Sequence, residues 1–235
     1  MAAAAAALIV VSAALMPPVT AQAAGVNSDY VQMSSIPFIG ASFIKIGGVR
    51  FVGNPADPIT VTATEAADSS SVTVKLTSAA AGGLVISAPC QQTAVDTAVC
   101  PTTFNGYPVA QVSVTNASAA DNDITMDIPT LAAHVDVGSG NDTVRIPHSR
   151  EVGTAGGNST IISLGNGNDT FYGGTGTKTI YADGGVDYIY VFNDPGVRDK
   201  VSCGNGTGEP RLDTVVVDST DVLLNSNCLN VVPGP

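Results

Sequence analysis

Asp142, Asp169 and Asp187 each close a short turn string rich in Gly and Asn or Asp, and two residues past each stands an apolar side chain. The strings are VGSGNDTV (Val137 to Val144), LGNGNDTF (Leu164 to Phe171), GGTGTKTI (Gly173 to Ile180) and ADGGVDYI (Ala182 to Ile189), with Lys178 once in the acid's place. A carboxylate beside turn carbonyls offers hard oxygen ligands, and calcium takes about six to eight of these at roughly 2.3 to 2.6 Å. Glycine suits such a turn because it accepts positive φ and lets carbonyls point inward.

The spacing says which elements must position these groups. The four positions lie 27, 9 and 9 residues apart, and the apolar phase of Val144, Phe171, Ile180 and Ile189 runs back through Ile162 to Val135, broken at Gly153. A side chain that points inward once per strand, on a chain that turns after every strand, has this period, which is that of one flank of a calcium-stacked parallel β-solenoid. Two such units make one coil, so Asp169 and Asp187, eighteen apart, are expected one above the other. Gly165, Asn166, Gly167, Asp183 and Gly185 are expected to complete their oxygen set. The same count places Asp142, Thr160 and Lys178 on the opposite, metal-poor flank, where Asp142 is the one acid and the Lys178 ammonium replaces an ion's charge but not its multiple coordination. Two other readings stay open: Asn-Gly hairpin turns in an antiparallel sheet, which leave the register of nine unexplained, and a solenoid held by asparagine ladders and aliphatic stacks without metal.

From Val135 to Val222 these strings resemble the hemolysin-type calcium-binding repeat of RTX proteins, GGxGxDxUx with U apolar. The whole chain is similar to secreted actinobacterial proteins that carry a few degenerate copies. The resemblance implies an all-β protein: a short, β-roll-like parallel β-solenoid over 133–235, a β-rich N-terminal cap over 47–132, and calcium as the bound ion. Four cysteines allow three pairings. The segment GLVISAPCQQTAVDTAVCPTTF resembles the cysteine-bracketed loop ahead of the repeats in that group, and CGNGTGEPRLDTVVVDSTDVLLNSNC its C-terminal coil. The resemblance therefore implies Cys90–Cys100 and Cys203–Cys228, each closing a loop that contributes about 2 to 4 kcal/mol. Zinc is the rival use, but there is no CxxC pair, and His134 and His148 are remote in sequence from both cysteine clusters.

Composition bounds the partners. With 20 acids against 9 bases and a net charge of −11 over 235 residues, nucleic acid and anionic membrane surfaces are disfavoured and cations favoured. The Ala-rich run Ala2 to Ala24 ends in Ala21-Gln22-Ala23, which reads as a Sec-type signal peptide over 1–23, with no Lys or Arg ahead of it. That implies a secreted chain with no stable membrane insertion after cleavage. Residues 24–46 read as a linker. Short alternating runs at Val49 to Val52, Ile59 to Ala63, Val72 to Leu76, Leu84 to Ile86 and Val109 to Val114 read as strands between turn signals. Asp123 marks a decayed repeat. Arg198 falls where an inward apolar residue is due, so the register is expected to stop there, and Asp213, Asp218 and Asp221 read as solvated turn acids.

Catalysis finds little support. There is no HExxH or GxSxG string, and Arg145, Arg150 and Lys178 form no array of the kind a β-helix polysaccharide lyase needs. The expectation is a non-enzymatic calcium-binding module. The alternative is an adhesin or surface protein that meets a glycan or a cell through Tyr172, Tyr181, Tyr188 and Tyr190, whose plainer role is cross-strand packing.

Overall fold

The computed structural model describes residues 28–36, 40–49, 58–78, 84–116, 118–151, 159–192, 197–204 and 212–234. The expected signal peptide lies outside these residues. Every named element is a strand, as the Thr-, Val- and Ile-rich alternation requires. The N-terminal strands are β1 (Ser28–Ile36), β2 (Ala41–Val49), β3 (Ile59–Glu65), β4 (Ser71–Ser78), β5 (Leu84–Ile86), β6 (Gln91–Ala94), β7 (Thr97–Pro101) and β8 (Thr103–Phe104). Then come β9 (Tyr107–Asn116), β10 (Asp123–Ile128), β11 (Ala132–Val137), β12 (Thr143–Ser149), β13 (Thr160–Ser163) and β14 (Thr170–Thr175). The chain finishes with β15 (Lys178–Tyr181), β16 (Tyr188–Tyr190), β17 (Lys200–Ser202), β18 (Thr214–Val217), β19 (Val222–Leu223) and β20 (Asn230–Pro233).

From β9 onward successive strands alternate between two sheets, and each pairs in parallel with the strand two places on. Odd-numbered strands β9 to β19 line one sheet and even-numbered strands β10 to β20 the other, so each odd–even pair forms a tier. The registers stack one apolar column per sheet. Val114, Val135, Ile162, Ile180 and Val201 stand in line in the first. Ile124, Val144, Phe171, Ile189 and Val215 stand in line in the second. All of these are fully buried, which is why a phase of nine, alternately landing on the two sheets, was legible in the sequence.

Both sheets continue unbroken into the N-terminal strands: β2 joins β9 and β3 joins β10, in parallel. Antiparallel pairing is found among the N-terminal strands, in the pairs β1–β2, β3–β4, β4–β7 and β6–β7, and where β8 meets β9. Antiparallel pairs thus extend the parallel stack at its N-terminal end, where β5 joins β1 in parallel as the edge strand of the first sheet. The stretch read as a linker is therefore corrected: residues 28–36 and 41–49 form a paired hairpin whose Val31, Ile44 and Ile46 lie in the core. Disulfides Cys90–Cys100 and Cys203–Cys228 are both formed. No helix among the described residues is long and apolar enough to cross a membrane.

Turn glycines permit the tiers to approach. A Cβ on Gly167 would lie 1.8 Å from the Gly140 carbonyl oxygen, and one on Gly185 would lie 1.5 Å from that of Gly167, at φ +140°. Gly185→Ala is accordingly expected to destabilise by more than about 2 kcal/mol. Phe171→Ala, which empties the centre of the second column, is expected to cost about 3 to 5 kcal/mol. Urea unfolding of the two variants checks both values.

Candidate metal centre

The turns that lead from the first sheet to the second each place a buried polar residue just before the strand they enter: Asn122, Asp142, Asp169, Asp187 and Asp213. They form a ladder. The backbone N–H of Asn122 donates to Asp142 Oδ1 (2.7 Å), that of Asp142 to Asp169 Oδ1 (2.7 Å), that of Asp169 to Asp187 Oδ1 (2.8 Å) and that of Asp187 to Asp213 Oδ1 (2.9 Å). At its start Asn122 Oδ1 accepts from the N–H of Ile59 at 3.1 Å. Each rung is doubled by the main chain, because the carbonyls of Asn122, Asp142, Asp169 and Asp187 accept from Thr143, Thr170, Tyr188 and Thr214 at 2.8–2.9 Å. A second row runs outside it in the opposite sense: Asp121 Oδ1 accepts from Asn141 N–H, Asn141 Oδ1 from Asn168 N–H, and Asn168 Oδ1 from Val186 N–H. The Asn-Asp dipeptide thus supplies one residue to each row.

Asp169 and Asp187 stand one above the other, as their spacing predicts. Asp142 does not stand opposite them. It belongs to the same row, because the tier between Asp142 and Asp169 spans 27 residues rather than eighteen, and the additional nine lengthen one connection without turning the chain onto the other flank. Three further readings are corrected on the same ground. The rung of the decayed repeat is Asn122, whereas Asp123 faces solvent and pairs with Arg145 at 2.6 Å. Asp213 is fully buried rather than solvated. Finally, the register resumes beyond Arg198, with Val201 opposite Ile180 in the sheet.

The opposite flank has its own row of Ala133, Thr160, Lys178, Asp199 and Asp221. Thr160 Oγ1 accepts from Ala133 N–H (3.1 Å), Asp199 Oδ1 from Lys178 N–H (2.6 Å) and Asp221 Oδ1 from Asp199 N–H (3.0 Å). Lys178 is fully buried, and its ammonium donates to the carbonyls of Gly174, Thr175 (3.0 Å) and Gly176 (2.5 Å). One ammonium therefore gathers three carbonyls of one turn, more of an ion's coordination than a point charge was expected to reproduce.

The two flanks differ electrostatically. Among the acid row, Asp142 Oδ2 and Asp169 Oδ2 are buried without a hydrogen-bond partner. Burial is the main reason that Asp169's carboxyl is pushed up to about 7 from its ordinary 3.8. The N–H of Asp142 opposes the rise, and the like charges of Asp187, Asp142 and Asp121 add to it. Burial also raises Asp142, against the hydrogen bonds from Asn122. These spare buried oxygens fit a cation. Of the other expected ligands, the Gly165 carbonyl lies in the stack and accepts from Gly184 N–H at 2.7 Å, with Gly167 and Gly185 stacked beside it. Asn166 and Asp183 are exposed, and Asp183 Oδ2 accepts from Ser163 Oγ at 2.8 Å. Asp183 stands apart from the buried row. Among the described residues no three Asp, Glu, His or Cys side chains converge as a metal cluster, so an ion in this row would draw on neighbouring carboxylates, turn carbonyls and water. Comparison with known proteins finds no family model, curated protein or solved structure that matches the chain.

Missing Asn122, Asp199 and Asp213 has a sequence cause: insertions of unequal length separate them from their neighbours. Their signal was a polar residue two before a buried β-branched one, as in Asn122-Asp123-Ile124, Asp199-Lys200-Val201 and Asp213-Thr214-Val215. Two predictions follow from the contrast between the flanks. A carboxyl whose pKa is higher folded than unfolded stabilises the fold below its unfolded value and loses that contribution as pH rises through the folded one. Without divalent ions, stability should therefore fall between about pH 4 and pH 7, and Asp169→Asn should flatten that slope in melting curves. Lys178→Met, which removes the charged donor shared by three carbonyls, should cost about 3 kcal/mol in urea unfolding, with or without calcium.

Proposed function

We propose that the chain winds as a short parallel β-solenoid of the β-roll kind and is a secreted, non-catalytic calcium-binding module in which the Asp142–Asp169–Asp187–Asp213 row carries the ions. The observation behind this reading is the charge of the rungs. A rung needs only an acceptor for the N–H of the preceding tier, and Asn122 does that work without charge. Yet the next four rungs are Asp, stacked so that like charges face one another, which would burden a purely structural ladder. A cation shared between tiers removes the repulsion and uses the buried Oδ2 atoms of Asp142 and Asp169. Calcium suits carboxylate, carbonyl and water oxygens in a flexible arrangement. Binding free energy then adds to folding free energy wherever calcium is abundant. Two disulfides accord with an oxidising, extracellular setting.

Titration calorimetry with calcium, alongside melting with calcium and with chelator, tests the reading. The parent should bind calcium, melt higher with it and release protons as Asp169 gives up its own. Asp169→Asn keeps the rung's acceptor and should weaken calcium binding at least tenfold while leaving metal-free melting at neutral pH unchanged or raised. A parent that binds no calcium, or a variant that binds it as the parent does, would overturn the assignment in favour of a metal-free ladder.

A further inference from the structure

The outer face of the second sheet carries a hollow that neither ladder uses. Along β14, Tyr172 projects outward and is 42% exposed. Two positions on, in the same outward alternation, Gly174 has no side chain to project. Gly174 is one of the residues lining a groove of about 450 Å³ bordered by Tyr172 and Thr175 on β14, Pro147 and His148 on β12, and Thr125 on β10. Gly174 is obligatory there, since a Cβ would lie 1.9 Å from the Pro147 carbonyl oxygen.

The wall of this groove is built from held parts. Arg145 lies over the Tyr172 ring at 5.8 Å from its centroid, and Tyr188 leans against the same ring at 6.2 Å and 54°. An aromatic side chain clasped from two sides keeps its orientation while a large part of its surface stays open to solvent. Arg145 is also paired with Asp123 at 2.6 Å, and His148 with Asp127 at 2.8 Å. The groove is therefore lined by a donor-only guanidinium and an imidazole beside an aromatic surface, each of the two held by an acceptor-only carboxylate, Asp123 or Asp127.

We propose that this groove binds a neutral, hydroxyl-rich polymer, namely an uncharged glycan strand. Three features select that class. Vicinal hydroxyls both donate and accept, so one sugar edge can satisfy a guanidinium and a carboxylate together, whereas an anion would compete with Asp123 and Asp127 for the same donors. The net charge of −11 further disfavours polyanions. The C–H face of a pyranose matches the clasped tyrosine, which pairs an apolar body with a polar tip. The groove's volume lies in the range of small-ligand sites, and it is open to solvent. This inference does not depend on calcium in the acid row.

Affinity electrophoresis of the full chain in gels containing hydroxyethylcellulose, xyloglucan, dextran or mannan, with alginate as the anionic counterpart, tests it. The parent should be retarded by at least one neutral polymer, with and without calcium. Tyr172→Ala should weaken retardation at least tenfold, while Tyr181→Ala, which removes an exposed tyrosine from the other sheet, should leave it unchanged. Arg145→Ala provides the second reading if Tyr172→Ala fails to fold, and melting curves establish which variants are folded. Absence of retardation by any neutral polymer, retardation by alginate alone, or equal retardation of parent and both folded groove variants would overturn the proposal.

Discussion

Each tier is tied to the next by a carboxylate that accepts the backbone N–H of its counterpart one tier earlier, and the rest of the molecule is arranged around that bond. A chain that turns after every short strand leaves turn N–H groups with no partner in its own tier, and a buried orphan of that kind costs about 1 to 3 kcal/mol. The Asp at the end of each Gly-rich turn answers the N–H of the tier before it. The following residue donates to the carbonyl there, so sheet register and turn register are fixed together. Once a rung is set, the apolar residue two positions on has no choice of face, which is how Val144, Phe171, Ile189 and Val215 come to stand in one column.

The same constraint explains the glycines and the contrast between flanks. Tiers joined at rungs of 2.7–2.9 Å bring turn backbones so close that a carbonyl occupies the place of the next tier's Cβ. On one flank this leaves a file of carboxylates in which Asp142 and Asp169 keep a buried Oδ2 without a hydrogen-bond partner. On the other, an internal ammonium at Lys178 gathers the turn's carbonyls. One flank places an ammonium within its turn, whereas the other stacks carboxylates, whose charge the proposed cation would balance.

The repeat between Leu164 and Ile189 was readable because it contains the one eighteen-residue spacing of the acid row, between Asp169 and Asp187. The other rungs are 20, 27 and 26 residues apart. Counting in nines therefore put Asp142 on the wrong flank and stopped at Arg198. Two stacked, mostly parallel sheets tolerate connections of unequal length provided that the rung and its inward neighbour are kept, so the period is a weaker signal than the local pattern of a polar residue, any residue and a buried apolar one. The N-terminal hairpin escaped notice for another reason: Ser28 to Val49 mixes small and apolar residues without repeat spacing, and its strand character comes from pairing with β9 through β2.

Anomalous diffraction from crystals grown with calcium addresses the acid row most directly. Density for an ion is expected between the carboxylates of Asp169 and Asp187, with ligand oxygens at about 2.3 to 2.6 Å, and none is expected at the turn filled by the Lys178 ammonium. An acid row free of ion density at saturating calcium, with every rung intact, would contradict the proposal and leave the carboxylates as proton-bearing structural rungs.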